Sequence, residues 1–200
     1  MARLTDLGID FDHWCFACGR ANPQGLHLDF EVSRDRAQTR FVPRREHTGY
    51  DGTVHGGIVT ALLDETMGWA IFHQGVWGVT ARLSVTFRRP AQVGEALVVT
   101  GEVTRQTHRS VETRGELRDE AGDVLAEADA LFLLMPEERR RELERRYARI
   151  DEALAKVKET VRAEERQAEQ GRTGSTCRTT SERSPWSSSR RCGRPTSITR

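Results

Sequence analysis

Leu26, Leu28, Phe30 and Val32 alternate with His27, Asp29 and Glu31, the two-residue period of a half-buried strand. Ser33–Arg36 makes a turn, and Ala37, Thr39 and Phe41 carry a return strand to Pro43. A polar loop with Gly49 and Gly52 follows. The period then changes. From Gly57 to about Phe72 apolar residues such as Ile58, Leu62, Met67, Trp69 and Ile71 fall nearly all round a helix, which predicts a buried one. Alternation resumes at Val79, Ala81, Leu83, Val85 and Phe87, against Thr80, Arg82, Ser84, Thr86 and Arg88. It continues through residues 96–107, 110–118 and 124–134, with turn residues at Pro90–Gly94, His108–Arg109 and Asp119–Asp123. The order is a hairpin, one long buried helix and an antiparallel meander. It predicts an α+β fold in which a curled antiparallel β-sheet wraps one central helix.

The globular pattern ends at about Met135. Leu143, Tyr147, Ile150, Leu154, Val157 and Val161 then recur at three- and four-residue spacings amid alternating charge, the mark of a charged amphipathic helix over 136–170. A solvated helix is the favoured reading, with a partner helix or a flap over the sheet as alternatives. Residues 171–200 are rich in Arg, Ser and Thr, have no period and almost no aliphatics, and are predicted to be disordered. Their composition is closer to out-of-frame or vector-derived translation than to a selected segment. The predicted organisation is a domain over 1–135 with an N-terminal CxxC knuckle at 13–25, the charged helix, and the tail.

The formal net charge is +1, which gives no general electrostatic case for nucleic acid or a membrane surface. No apolar run is long enough to span a bilayer, and the first residues lack a signal-peptide core, so a cytoplasmic location is expected. Cys15 and Cys18 form a CxxC, whereas Cys177 and Cys192 lie in the tail. A single CxxC is half a zinc site, a redox pair or a structural turn. Tetrahedral zinc would need two more ligands, and His13 and His27 are the only ones nearby in sequence. The turn closed by Gly19 is the favoured reading, and no metal or cofactor is assigned.

The chemistry concentrates in HGGIVTALLDETMG, residues 55–68. A helix N-terminus presents unpaired N–H groups and partial positive charge, and glycines at 56 and 57 allow close approach of a carbonyl. Asp64 is a carboxylate in an apolar helix, which needs a partner or a use. It lies nine residues after His55, ~13 Å along a helix at 1.5 Å per residue. The two cannot grip one carbonyl together. Two helices packed antiparallel about a twofold would bring one subunit's Asp64 to the other's Gly57 and His55, which predicts at least a homodimer. The neighbouring Glu65, about 100° round the helix, is read as a core hydrogen-bonding group.

Three blocks, CFACG followed by NPQGL, then HTGYDGTVHGGIVTALLDETMG, then VTARLSVTFRRPAQVG, together resemble the PaaI-like acyl-CoA thioesterases of the hotdog-fold superfamily, over roughly residues 14–135. The resemblance implies hydrolysis of an acyl-CoA thioester in a site shared between subunits of a dimer or a dimer of dimers. It implies that Asp64 is general base or nucleophile and that the Gly57 N–H polarises the carbonyl. His55 would be the motif histidine, and Thr80 a hydroxyl near the carboxylate. Many relatives carry Asn six residues before that histidine; here the position is Gly49. Gly56, Arg82, Arg88, Arg89, His108 and Arg109 are candidates for substrate and CoA binding, since arginine forks suit phosphate. Trp69, Phe72 and Trp77 either line an acyl tunnel or belong to the core. Two other readings stay open: a non-catalytic acyl-CoA-binding or regulatory hotdog protein, and a hotdog hydroxyacyl-thioester dehydratase.

Overall fold

The computed structural model describes residues 1–7, 11–72 and 75–146, with short helical pieces between 155 and 167. The predicted tail at 171–200 and most of the charged segment after Arg146 lie outside the described residues. Seven strands form one antiparallel sheet: β1 (Ala2–Arg3), β2 (Glu31–Ser33), β3 (Arg36–Phe41), β4 (Gly78–Phe87), β5 (Leu97–Gln106), β6 (Ser110–Asp119) and β7 (Val124–Leu134). Their order is β1-β2-β3-β5-β6-β7-β4. A single long helix, α1 (Gly56–Phe72), lies in the curl of this sheet, and a short charged helix, α2 (Glu137–Arg146), follows β7. The architecture is the expected α+β hotdog arrangement. Among the described residues no helix is long and apolar enough to cross a membrane.

Two strand expectations need correction. The alternation over Leu26–Val32 is real in burial, with Leu26, Leu28, Phe30 and Val32 inside, but only Glu31–Ser33 joins the sheet. Residues 26–28 pair instead with the CxxC knuckle: Leu26 N–H donates to Phe16 O at 2.8 Å and Leu28 N–H to Ala17 O at 3.0 Å. The second correction concerns the meander. Strands β5, β6 and β7 are consecutive hairpins, but β4 skips β5 and pairs with β7 at the far edge. An edge position leaves β4 largely exposed, Val79 and Phe87 included.

The seat for α1 is built from small residues. Gly101 of β5 stands opposite Gly115 of β6, which stands opposite Ala128 of β7. A Cβ on Gly101 would lie 2.8 Å from Met67 Cα, and one on Gly115 would lie 3.1 Å from Met67 Sδ. Glycine inside a strand here serves close backbone approach. Leu62, Leu63 and Met67 are thereby fully buried, each contributing ~1.5–3 kcal/mol of apolar transfer. The helix is not buried all round, as its composition predicts. Gly57 is exposed, and Thr60, Ala61, Asp64 and Gly68 are half-exposed along one stripe, the face that its own sheet leaves open.

Candidate active site

Asp64 emerges from that open stripe of α1 beside the edge strand. Thr80 Oγ1 donates to Asp64 Oδ1 at 2.8 Å. Simple alternation along β4 would have put Thr80 on the face opposite Leu83 and Val85. A bulge prevents this: Thr80 pairs with Phe132 and Arg82 with Leu131, so Ala81 is the extra residue. Bulges re-aim side chains in this way. The side chains of Asp64 and Thr80 border a cavity of about 390 Å³, within the size range of small-molecule sites. Its apolar wall includes Trp69, Phe72, Trp77, Phe132 and, from α2, Leu143. Trp69 meets Phe72 edge-on at 5.0 Å, and Phe72 meets Trp77 edge-on at 4.7 Å. All three aromatic residues therefore line the cavity, and Trp69 is also core, stacked on Phe30 at 5.3 Å.

At the other end of α1, His55 is the N-cap. Its carbonyl accepts the N–H groups of Ile58 at 2.9 Å and Val59 at 3.2 Å. Its ring Nδ1 accepts the Gly57 N–H at 2.9 Å. The Gly57 donor is thus engaged by the histidine in this conformation. Gly49 packs directly on this residue: a Cβ there would lie 2.9 Å from His55 Cα. A side chain at position 49 is incompatible with His55 as placed. Gly56 lines a second cavity of about 350 Å³ with Val59, Phe87, Arg88 and Arg89. Asp64 and the helix start therefore open into different cavities of one chain.

The candidate CoA-binding residues do not converge within one chain. Arg89 N–H donates to Leu125 O at one end of β7, while Leu134 N–H donates to Arg109 O at the other. The nine residue steps from Leu125 to Leu134 span ~30 Å. Arg88 holds Glu127 through Nε at 3.0 Å and Nη2 at 2.7 Å, and Arg89 holds Asp123 at 2.6 Å. Arg82, on β4, and His108 and Arg109, at the β5–β6 turn, are exposed.

Sequence reasoning missed one grouping. Glu65 turns away from Asp64 toward the CxxC knuckle, with the Cys15 Sγ at 3.8 Å from both its carboxylate oxygens. Trp69 Nε1 also donates to Glu65 at 3.2 Å. The same cavity wall carries His13, Cys15, Cys18 and Glu65. Burial, then the Cys15 charge, pushes the Glu65 carboxyl up to about 7. The hydrogen bond from Cys18 holds the Cys15 thiol down at about 5, and the same bond together with burial raises Cys18. Spacing offered only His13 and His27 as companions to the cysteines. His27 instead donates or accepts at Asn22 O, 2.6 Å away, from an exposed position.

Residues 51–126 match the family model of the thioesterase superfamily. Human acyl-coenzyme A thioesterase 13 is 34% identical over 85 residues, 41% of this chain and 61% of that protein. The chain thus spans about three-fifths of the length of that relative. A crystal structure of a thioesterase superfamily protein is 30% identical with a TM-score of 0.54, over 57% of this chain and 60% of the other. The PaaI protein of the E. coli phenylacetic acid degradation operon superposes with a TM-score of 0.52 at 20% identity, over 54% of this chain and 83% of its own, a likeness of fold.

Proposed function

We propose that this chain, which matches the thioesterase superfamily over residues 51–126 and shares the fold of the PaaI-like hotdog proteins, hydrolyses acyl-CoA thioesters to the free acid and CoA. The observation that carries the reading is the Thr80–Asp64 hydrogen bond at the mouth of an aromatic cavity. The acyl group occupies that cavity against Trp69, Phe72 and Trp77. With Oδ1 held by Thr80, Oδ2 takes a proton from a water attacking the carbonyl carbon. The alternative is direct attack by Asp64 to give a mixed anhydride, with CoA thiolate leaving, before water releases the acid. A positioned base contributes ~10²–10⁴-fold.

The carbonyl oxygen needs a donor that one chain does not bring to its own Asp64. Gly57 precedes Asp64 by seven residues, ~10 Å along α1. The half-exposed stripe of α1 and the exposed edge strand β4 lie together on the uncovered side of the molecule. A second copy packed there about a twofold sets its helix start, with Gly57 and His55, against the Asp64 cavity of the first. The His55 ring then moves off Gly57, whose N–H donates to the developing oxyanion; one such donor is worth ~3–4 kcal/mol. Arg82 on β4 and the Arg88–Arg89 pair, released from Glu127 and Asp123, lie near that joint surface and are the candidates for the CoA phosphates.

Purified protein offered a panel of acyl-CoAs of differing chain length and aromaticity tests this directly. Release of one free thiol per thioester consumed supports hydrolysis. A spectral change in the acyl group without thiol release would identify dehydration, and binding without either would identify a non-catalytic acyl-CoA protein.

A further inference from the structure

The thioester chemistry uses Asp64 and leaves the neighbouring Cys15–Cys18–Glu65 group without a task. One donor atom from each of the three lies within 4.8 Å of the other two. Cys15 Sγ to either Glu65 oxygen is 3.8 Å. Bonds of 2.3 Å to sulfur and ~2.1 Å to oxygen at tetrahedral angles set donor atoms ~3.6–3.8 Å apart. The group therefore already has nearly the spacing a tetrahedral ion requires.

The scaffold around it is rigid. Gly19 N–H donates to Cys15 O at 2.9 Å, and Arg20 N–H to Phe11 O at 2.8 Å. A Cβ on Gly19 would stand 2.1 Å from His13 O, so the knuckle closes only over glycine. Phe11 packs edge-on against Trp69 at 5.6 Å, one turn along α1 from Glu65. Among the described residues, no Lys or Arg lines this cavity wall. Two sulfurs and a carboxylate, donors that a cation can bind in place of the thiol protons, converge there. Sulfur donors with one carboxylate suit zinc better than harder ions.

We propose that Cys15, Cys18 and Glu65 bind one zinc ion, with its fourth position open to water on the cavity side. The ion would clip the N-terminal segment to α1 one residue beyond Asp64 and so fix one wall of the cavity. This site is independent of the hydrolytic reading, and its test uses no activity.

The test is zinc content per chain by elemental mass spectrometry, with cobalt(II) replacement followed by absorption. The expected result is one zinc per chain and thiolate-to-cobalt charge-transfer bands. Both disappear in Cys18→Ser, and zinc binds at least ~10-fold more weakly in Glu65→Gln. The tail double variant Cys177→Ser, Cys192→Ser binds as the unaltered chain does. Circular dichroism verifies folding, and Cys15→Ser, on the half-exposed side, serves should Cys18→Ser fail to fold. A folded unaltered chain that takes up no stoichiometric zinc would overturn the site. So would uptake that survives Cys15→Ser and Cys18→Ser, is unchanged in Glu65→Gln, or depends on Cys177 and Cys192.

Discussion

Replacing Thr80 by Val removes one hydroxyl and keeps a β-branched side chain suited to a strand. What is lost is the 2.8 Å hydrogen bond to Asp64 Oδ1. Bonds to a charged group are worth ~1.5–3 kcal/mol, which converts to ~10–150-fold in rate. Thr80 is exposed and Asp64 half-exposed in the single chain, so water competes for the carboxylate and the lower part of that range applies, ~10–30-fold in kcat. The carboxylate stays in place but loses its fixed orientation, so KM changes little. Stability should fall by no more than about 1–1.5 kcal/mol, the net value of one hydrogen bond. Steady-state thiol release by Thr80→Val, with Thr80→Ser restoring most of the loss, checks this. Turnover within twofold of the unaltered chain in Thr80→Val, at equal folding, would refute the idea that Thr80 orients the base.

Gly101→Ala should destabilise the fold, because its Cβ would fall 2.8 Å from Met67 Cα; overpacking costs ~1–3 kcal/mol, read as a lower thermal midpoint, and an unchanged midpoint would contradict the saddle described for α1. His47 is held below its ordinary range by burial and then by the Arg44 charge. Its Nδ1 accepts the Arg44 N–H at 2.9 Å, which a protonated ring could not do. The unfolded chain therefore takes up this proton at a higher pH than the folded one, so stability is full above about pH 6.5 and falls as pH drops below it. Denaturant midpoints across that window should show the slope, and His47→Gln should flatten it; an equal slope in both would exclude His47 as its source.

Periodicity located α1 and the four long strands because each keeps its period over ten or more residues. What it missed depends on partners distant in sequence. Nothing in Val79–Phe87 signals that β4 seats beside β7, since the pairing is decided by the 36 intervening residues, 88–123, that fold among themselves. The bulge at Ala81 is also silent in composition, and it reverses the face on which alternation sets Thr80. Leu26–Phe30 alternate as a strand does, yet the Leu26 and Leu28 N–H groups bond to the knuckle. Asp64 was legible because an acid in an apolar helix stands out. Glu65 was equally visible, but its sulfur neighbours lie fifty residues away, so only the folded chain shows its company. The clash that excludes a larger residue at Gly49 likewise depends on loop geometry.

The central claim is that the Asp64 carboxylate performs the hydrolysis. Its most direct test is steady-state thiol release from the best acyl-CoA by Asp64→Asn, measured on protein with the same oligomeric state and thermal midpoint as the unaltered chain. Asparagine still accepts the Thr80 hydroxyl but can neither take a proton from water nor attack the carbonyl, so kcat should fall by at least ~10²-fold with acyl-CoA binding retained. Turnover within a few-fold of the unaltered chain would contradict the account.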